Sequence, residues 1–393
     1  MAAAPYRTSW IFTVRPTRGW RQAAACLLLS VLLGAIGSAR AQEPAAQDAE
    51  GQPPAASAAD DGGSLVPLPV VFYQPETGLG FGVTAINYYR MTPGDTISPP
   101  SSLSLVGVYT TKNQLILALW SDMFLDEDRW RISSKVSYVK FPTKYWGIGN
   151  DTPDSAEEDY TPKALELKLW PQKEIGPGWY AGASANVIDR KVAEASDGGL
   201  IDTGQAPGVD DDQSLGFGAS LIRDSRDNRV FPRRGSYHKL LVDLYAKVWF
   251  GDNGFGVYTL DLRRYFPVGG THVLAFQVLG IATSGEPPFD LYPQLGGDSL
   301  LRGYYQGRYR DRDLIALQGE YRLPLFWRIG AAGFASAGQV APDIGSFGLD
   351  RFWLAGGAGL RFLLAEREGL NVRADFALGE NSNGFYLSIG ETF

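Results

Sequence analysis

Residues Leu295–Arg312 read LGGDSLLRGYYQGRYRDR and combine four arginines and three tyrosines with scattered glycines, without any periodic apolar pattern. The stretch lies between two well-patterned predicted strands, His272–Thr283 and Asp313–Leu323. A connection of this length inside a compact array of strands is usually either functional or disordered, and its aromatic content argues against disorder. We therefore predict a long extracellular loop that folds back into the lumen of a barrel and is anchored there through Arg302.

On both sides of this loop, the chain alternates apolar and polar residues with a period of two, which is typical of half-buried strands. For example, Leu165, Leu167 and Leu169 alternate with Glu166 and Lys168. An even number of antiparallel strands of about ten residues is typical of an outer-membrane barrel, and closure leaves no unpaired strand edge in lipid. We predict an all-β fold, a transmembrane antiparallel β-barrel of 16 strands. The predicted strands span approximately 66–74, 77–90, 101–111, 114–123, 129–141, 162–171, 178–190, 212–223, 235–249, 254–266, 271–283, 313–323, 327–339, 351–364, 369–379 and 384–393.

The connections between these segments alternate between short and long. The short ones include 126–128, 176–178, 267–270 and 324–325, and the long ones are 142–161, 191–211, 284–312 and 340–350. Short periplasmic turns opposite long extracellular loops are the outer-membrane pattern. A soluble β-sandwich has no reason to sort its loops in this way.

The first 65 residues divide into a leader and a tether. Met1–Ala41 has an arginine-rich start, a short apolar core and small residues at Ala39–Ala41, as in a secretory signal peptide. The apolar core is shorter than the roughly 20 residues of a spanning helix, so we expect cleavage and not anchoring. Residues 42–65 are rich in Ala, Pro, Gln and Asp and are predicted to be a flexible periplasmic tether, which leaves 66–393 for the barrel.

The composition also narrows the class of function. The net charge is −7, and the leader contains arginines but no acidic residue, so the remainder is more acidic still. An acidic chain lacks the basic footprint of a nucleic-acid-binding protein. The one cysteine, Cys26, lies in the leader, so no disulfide framework is predicted for the exported part.

Five short motifs follow one another along the second half of the chain. They are Asp224-Ser225-Arg226-Asp227-Asn228 with Phe231-Pro232 and Gly235; Leu301-Arg302-Gly303-Tyr304; Glu320-Tyr321-Arg322; Gly359-Leu360-Arg361; and the ending Leu387-Ser388-Ile389-Gly390-Glu391-Thr392-Phe393. With these motifs, the chain from Pro67 to Phe393 resembles the BamA/TamA superfamily of outer-membrane assembly barrels, also called the bacterial surface antigen family.

The resemblance implies roles for two groups of residues outside the loop. The first matches the family's periplasmic turn before a barrel strand and consists of Asp224, Arg226, Asp227, Pro232 and Gly235. The second matches the C-terminal signal by which barrels are recognised for insertion and consists of Phe385, Leu387, Ile389 and Phe393.

The resemblance also implies that the long loop threads the lumen, with Arg302 of the Arg302-Gly303-Tyr304 motif paired to acids on the barrel wall. Alternation along the strand 313–323 points Glu320 inward, where Arg302 could form a charge-assisted, bidentate pair with it. The family usually has a second acid in an F-x-D-x-G segment, and this chain has Ser336 at that place. Ser336 accepts a hydrogen bond but carries no charge, and Asp375, which faces inward by its alternation, is a candidate substitute.

For function, the resemblance implies outer-membrane biogenesis: insertion or translocation of proteins or lipids at the seam between the first and last strands. The family's assembly members carry periplasmic POTRA modules, whereas only the tether is expected before this barrel. The expected partners are therefore outer-membrane lipids, with unfolded outer-membrane proteins or a separate periplasmic protein. The expected location is the outer membrane of a Gram-negative bacterium, reached by export. Two alternatives stay open: a passive or gated pore or polypeptide secretion channel, and a structural surface antigen.

No enzymatic activity, cofactor or metal site is expected. His238 and His272 fall at strand starts on the lipid-facing phase, and no serine lies in a context that would make either a catalytic partner. Two distant histidines without cysteine are also a poor metal site. The acidic runs Asp210–Asp212 and Glu157–Asp159 lie in predicted extracellular loops. We interpret them as solvated charge, with cation bridging to anionic headgroups as the alternative.

Overall fold

The computed structural model describes residues 64–92, 94–95, 98, 101–209, 212–228, 231–247, 254–365 and 370–393. The predicted leader and nearly all of the predicted tether lie outside the described residues, as do Asp210 and Asp211 of one acidic run. Ser64 and Leu65, which were assigned to the tether, already belong to the first strand.

In the described residues, the short strand Thr143–Tyr145 and sixteen longer antiparallel strands form the main sheet, and the longer strands make the barrel. They are β1 Ser64–Gln74, β2 Gly78–Tyr89, β3 Ser101–Thr110, β4 Leu115–Leu125, β5 Trp130–Lys140, β6 Glu158–Gly176, β7 Trp179–Ala195, β8 Asp212–Asp224, β9 Gly235–Lys247, β10 Phe255–Val268, β11 His272–Gly285, β12 Asp313–Phe326, β13 Ile329–Ala341, β14 Trp353–Ala365, β15 Leu370–Gly379 and β16 Ser382–Ile389. Each strand pairs with its neighbours along the chain, and β16 pairs with β1, so the sheet closes. The predicted 16-strand barrel is confirmed.

The closing pair differs from the others in its length. Within the described residues, β1 and β16 pair through Tyr73 and Leu387 alone. The neighbouring pair β15–β16, in contrast, is in register from Val372 with Ile389 to Gly379 with Ser382. The backbone ladder is therefore weakest where the first and last strands meet.

Side chains alternate between the two faces of the sheet. On β3, Leu103 and Leu105 are exposed, whereas Ser102, Ser104 and Val106 are buried. The exposed face is apolar along most strands, as a lipid-facing surface requires. The buried, inward phase carries both apolar and charged side chains; the charged ones include Glu320 and Arg322 on β12, Arg361 on β14, and Arg373 and Asp375 on β15.

Two long connections contain structure of their own. The one between β5 and β6 includes the short strand Thr143–Tyr145, which pairs with the start of β6. The one between β11 and β12 includes a small hairpin of Gln294–Leu295 with Tyr309–Arg310. The helical segments in the described part of the chain are single 3-10 turns, and no helix there is long and apolar enough to cross a membrane.

The predicted strand bounds agree with the structure to within three residues, except at β6, at β7 and at β16, which ends at Ile389 and not at 393. β6 begins at Glu158 and not at 162, because the pairing continues past an irregularity between Thr161 and Pro162. Proline has no N–H to donate to the ladder, so the sequence pattern is interrupted there although the strand is not. As a result, Glu158 and Asp159 belong to a strand and not to a loop.

We expect Leu105→Arg to destabilise the folded barrel by about 2–4 kcal/mol, because a charge at mid-strand on the lipid face loses its hydration. Leu79→Arg, near the start of β2, is the control; it should destabilise the barrel by about 0–1 kcal/mol, because a charge close to the membrane interface keeps its hydration. The free energy of unfolding in lipid vesicles, followed by tryptophan fluorescence in denaturant, checks both values. Equal effects at the two positions would contradict the assigned lipid face.

Candidate functional site: the loop anchor on the inner wall

Two buried charged side chains of strand β12, Glu320 and Arg322, flank the exposed Tyr321. Arg322 Nε donates to Glu320 Oε1 at 2.8 Å. Glu320 is 1% exposed, and a buried carboxylate requires partners for both oxygens. Its second oxygen, Oε2, faces the long loop.

Arg302 of the loop supplies the partner for this oxygen. Its Nη2 donates to Glu320 Oε2 at 2.8 Å and its Nη1 donates to Asp375 Oδ2 at 2.6 Å. Its guanidinium carbon lies 3.4 Å from the centre of the Phe334 ring. One planar guanidinium therefore joins β12 and β15 and stacks on β13, which a lysine could not do in the same way.

The ion pairs continue around Arg302. Arg361 Nη1 donates to Asp375 Oδ1 at 2.5 Å, and Arg361 Nε to Glu391 Oε2 at 3.0 Å. Arg373 Nη2 donates to Asp298 Oδ2 at 2.8 Å. The network balances four arginines with four carboxylates. Its members are Arg302, Arg322, Arg361 and Arg373 with Asp298, Glu320, Asp375 and Glu391. Removing one member leaves an uncompensated buried charge, which is far more costly than the net worth of a pair.

The two residues after Arg302 set the approach of the loop to β15. Gly303 has φ +114°, and a Cβ there would press on the backbone of Leu378 and Gly379. The Tyr304 ring lies against Gly379, where a Cβ would overlap it. Tyr304 Oη accepts the Glu380 N–H at 2.7 Å. The Arg-Gly-Tyr order thus combines a charged anchor, a close backbone contact and an aromatic ring in one turn.

Ser336 does not take part in the anchor. Within the described residues, no hydrogen bond joins Ser336 to Arg302; in the ladder Ser336 stands opposite Gln318. The second charge comes from Asp375, two strands beyond β13. The geometry therefore places Glu320 and Asp375 at Arg302, as expected from their alternation, and leaves Ser336 out.

A second arginine of the loop, Arg310, belongs to none of the sequence motifs. It is 1% exposed and donates to Tyr160 Oη at 3.2 Å. Its guanidinium also lies over the Tyr145 ring at 5.0 Å. Arg310 thus joins the loop to β6 and to the short strand Thr143–Tyr145, and no local pattern distinguishes it from the half-buried Arg308 and Arg312 beside it.

The turn motif between β8 and β9 folds around its own acids. Arg226 forms a two-pronged pair with Asp224 at 2.9 and 2.8 Å, and Asp227 Oδ1 accepts the N–H groups of Arg233 and Arg234. Gly235 has φ +98°, and a Cβ there would overlap the Ser225 carbonyl. Pro232, also part of the motif, is buried.

The predicted C-terminal signal divides between two faces. Phe385 is exposed, and Leu387 and Ile389 are half-buried on the same side. Phe393 is buried and packs with Tyr265 of β10 and residues of β11. The chain leaves the strand after Ile389, and Glu391 is drawn inward by Arg361, so the terminal aromatic ring does not continue the outward row. The role of these residues in insertion stays a prediction.

The turn between β1 and β2 also contacts the loop. Glu76 Oε1 accepts the Gln306 N–H at 2.7 Å, and Glu76 lines a cavity of about 130 Å³ between the loop and strands β4 to β6. Burial, with a smaller contribution from the Asp298 carboxylate, raises the pKa of the Glu76 carboxyl to about 7, against hydrogen bonds and the nearby Lys112 that lower it.

A family model adds independent evidence to this geometry: the Omp85 superfamily domain matches residues 100–393. The chain belongs to the Omp85 superfamily. The resemblance drawn from the motifs is thereby confirmed at the level of the superfamily. No curated protein matches the chain.

Solved structures show the same fold at low sequence identity. BamA from Haemophilus ducreyi lacking POTRA domains 1–3 is 14% identical, with a TM-score of 0.59 over 84% of this chain and 70% of that one. CdiB from Acinetobacter baumannii is 12% identical, with a TM-score of 0.52 over 81% and 58%. CdiB from Escherichia coli is 11% identical, with a TM-score of 0.52 over 81% and 62%.

These likenesses concern the barrel. The chain spans less than two thirds of either CdiB chain. An Omp85 barrel of this fold is a transmembrane protein of the Gram-negative outer membrane.

We expect Arg302→Ala to lower the free energy of unfolding by about 3–5 kcal/mol, because Glu320 and Asp375 lose a buried partner. Arg302→Lys should lower the free energy of unfolding by less than Arg302→Ala, since lysine keeps the positive charge but lacks the planar guanidinium that bridges both carboxylates. Arg129→Ala, which removes an exposed ion pair of 3.9 Å, is the control and should change stability by about 1 kcal/mol or less. Denaturant unfolding in vesicles measures all three; similar values for Arg302→Ala and the control would argue against the anchor.

The raised pKa of Glu76 predicts a pH dependence of stability. The folded barrel keeps this proton up to about pH 7, whereas an unfolded chain loses it near the ordinary value of 4.5. The free energy of unfolding should therefore fall as the pH rises from about 4.5 to about 7, by about 3 kcal/mol from this group. Glu76→Gln should remove that part of the pH profile, whereas Glu380→Gln, at an exposed carboxylate, should not. Parallel profiles for Glu76→Gln and the unaltered protein would contradict the assignment.

Proposed function

We propose that this barrel assists outer-membrane biogenesis by inserting or translocating client proteins at the seam between β1 and β16. In this proposal the long loop folds into the lumen and holds the wall near the seam in one arrangement. The clients are unfolded outer-membrane proteins, delivered alone or by a periplasmic partner after export of the barrel itself by its signal peptide.

The observation that carries the proposal is the short ladder at the seam. Tyr73 with Leu387 is the backbone pairing there, while adjacent strands are paired along most of their length. An unpaired strand edge in lipid is costly, and an exposed edge templates the pairing of a further strand. A client strand entering the membrane needs such a template.

Two features support the proposal from other directions. The chain belongs to the Omp85 superfamily, and its motifs resemble those of outer-membrane assembly barrels. The loop anchor also sits next to the seam, since Arg302 binds Asp375 of β15 and Gly303 N–H donates to Tyr386 Oη of β16 at 3.0 Å. A surface antigen or a simple pore needs no such arrangement.

Reconstitution with an unfolded outer-membrane barrel client tests this function. Residues 42–393 contain no cysteine, so Tyr73→Cys with Leu387→Cys allows the seam to be locked by a single disulfide, because cross-strand partners lie within bonding distance. We expect the reduced protein to speed client folding severalfold over empty vesicles, and oxidation to abolish the gain. Folding is read from protease resistance of the client.

Two results would contradict the proposal: a reduced barrel no faster than empty vesicles, or a gain that survives the lock. A barrel that instead passes ions steadily with the seam locked would favour the channel alternative. Single-channel recordings on the same oxidised sample make that distinction.

A further inference from the structure

Asp298, in the loop four residues before Arg302, makes contacts that the anchor itself does not require. Its Oδ2 accepts hydrogen bonds from Gln74 Nε2 at 3.1 Å and from Ser388 Oγ at 3.0 Å. The same oxygen accepts from Arg373 Nη2 at 2.8 Å. One carboxylate oxygen of the loop therefore meets β1, β16 and β15.

Two of these donors lie directly beside the residue pair that closes the barrel. Gln74 directly follows Tyr73, and Ser388 directly follows Leu387, the pair that closes the barrel. All three polar side chains at this point are buried: Gln74 is 1%, Asp298 5% and Ser388 6% exposed. Hydrogen bonds to a charged acceptor away from solvent are stronger than neutral ones. The side-chain contacts therefore reinforce the backbone ladder at its shortest point.

The loop reaches both sides of the seam at further points. On the β16 side, Ser382 Oγ donates to the Gly303 carbonyl at 2.6 Å. On the β1 side, Gln306 N–H donates to Glu76 at 2.7 Å. Arg373 also donates to Asp375 at 3.1 Å, which in turn binds Arg302. Asp298 is thus joined to the anchor through a shared arginine and carboxylate.

We propose that Asp298 is the positioning residue that holds the seam closed, so that seating of the loop and opening of the seam form one coupled equilibrium. The inference rests on the proposed function for its purpose, but its physical content concerns the seam alone. While the loop is seated, Asp298 bridges the first and last strands. When the loop leaves the wall, the bridge and the anchor are lost together, which leaves the Tyr73–Leu387 backbone pair and the contact between the Tyr73 and Phe385 rings to join the strands.

Amide hydrogen exchange, read by mass spectrometry on the full chain in lipid nanodiscs without client, tests the coupling. We expect Asp298→Asn to speed exchange of peptides covering 70–81 and 382–393 at least tenfold. Ser388→Ala should act on the same peptides to a smaller extent, and provides the test if Asp298→Asn fails to fold. The Tyr73→Cys and Leu387→Cys disulfide should suppress the increase.

Asp261→Asn is the matched control. Asp261 is a buried carboxylate paired with Arg263 on β10, away from the seam, so the same chemical change should leave seam peptides at the rate of the unaltered protein. Unchanged seam exchange in Asp298→Asn and Ser388→Ala would overturn the proposal, as would an equal increase in Asp261→Asn.

The client assay separates this inference from the proposed function. Faster seam exchange in Asp298→Asn without any client acceleration by the unaltered barrel would leave the seam role intact and refute the insertion function. Client acceleration by the unaltered barrel, together with unchanged seam exchange in Asp298→Asn, would support the insertion function and refute the role of Asp298 at the seam.

Discussion

A guanidinium buried between two carboxylates is the interaction on which the rest of the structure depends. Arg302 has 1% exposure and contacts three strands, through Glu320, Asp375 and the ring of Phe334. A buried charge tolerates little displacement from its partners, because every lost contact leaves an unsolvated ion. The segment around Arg302 therefore has one low-energy position against the wall, and the glycine and tyrosine after it are shaped to that position.

The surrounding network explains why so many charges can face inward in one sector of the barrel. Arginines and carboxylates are equal in number there, and most of them bind two partners. The network reaches β15 through Arg373 and Asp375, next to the closing strand β16, and Asp298 of the loop also accepts hydrogen bonds from β1 and β16.

Much of the fold could be predicted from the sequence, because period-two alternation and the lengths of connections are local properties. Strand number, the inward phase of Glu320 and Asp375, and the loop between β11 and β12 follow from such patterns. The partners of each charge do not. Ser336 stands where the family usually has its second acid. The second acid at Arg302 is instead Asp375 of β15, because the curved sheet brings this strand to the same loop residue. Arg310 and Asp298 lie in a loop without periodicity, and their contacts are with strands more than seventy residues away in sequence.

The coupling energy between Arg302 and Asp375 tests the central claim most directly. Unfolding free energies in vesicles are measured for Arg302→Ala, Asp375→Ala, the double variant and the unaltered barrel. The account requires the sum of the two single destabilisations to exceed the destabilisation of the double variant by at least about 1 kcal/mol, which is within the range found for contacting residues. Effects that add to within about 0.5 kcal/mol would mean that the two side chains do not interact, and would contradict the anchored loop.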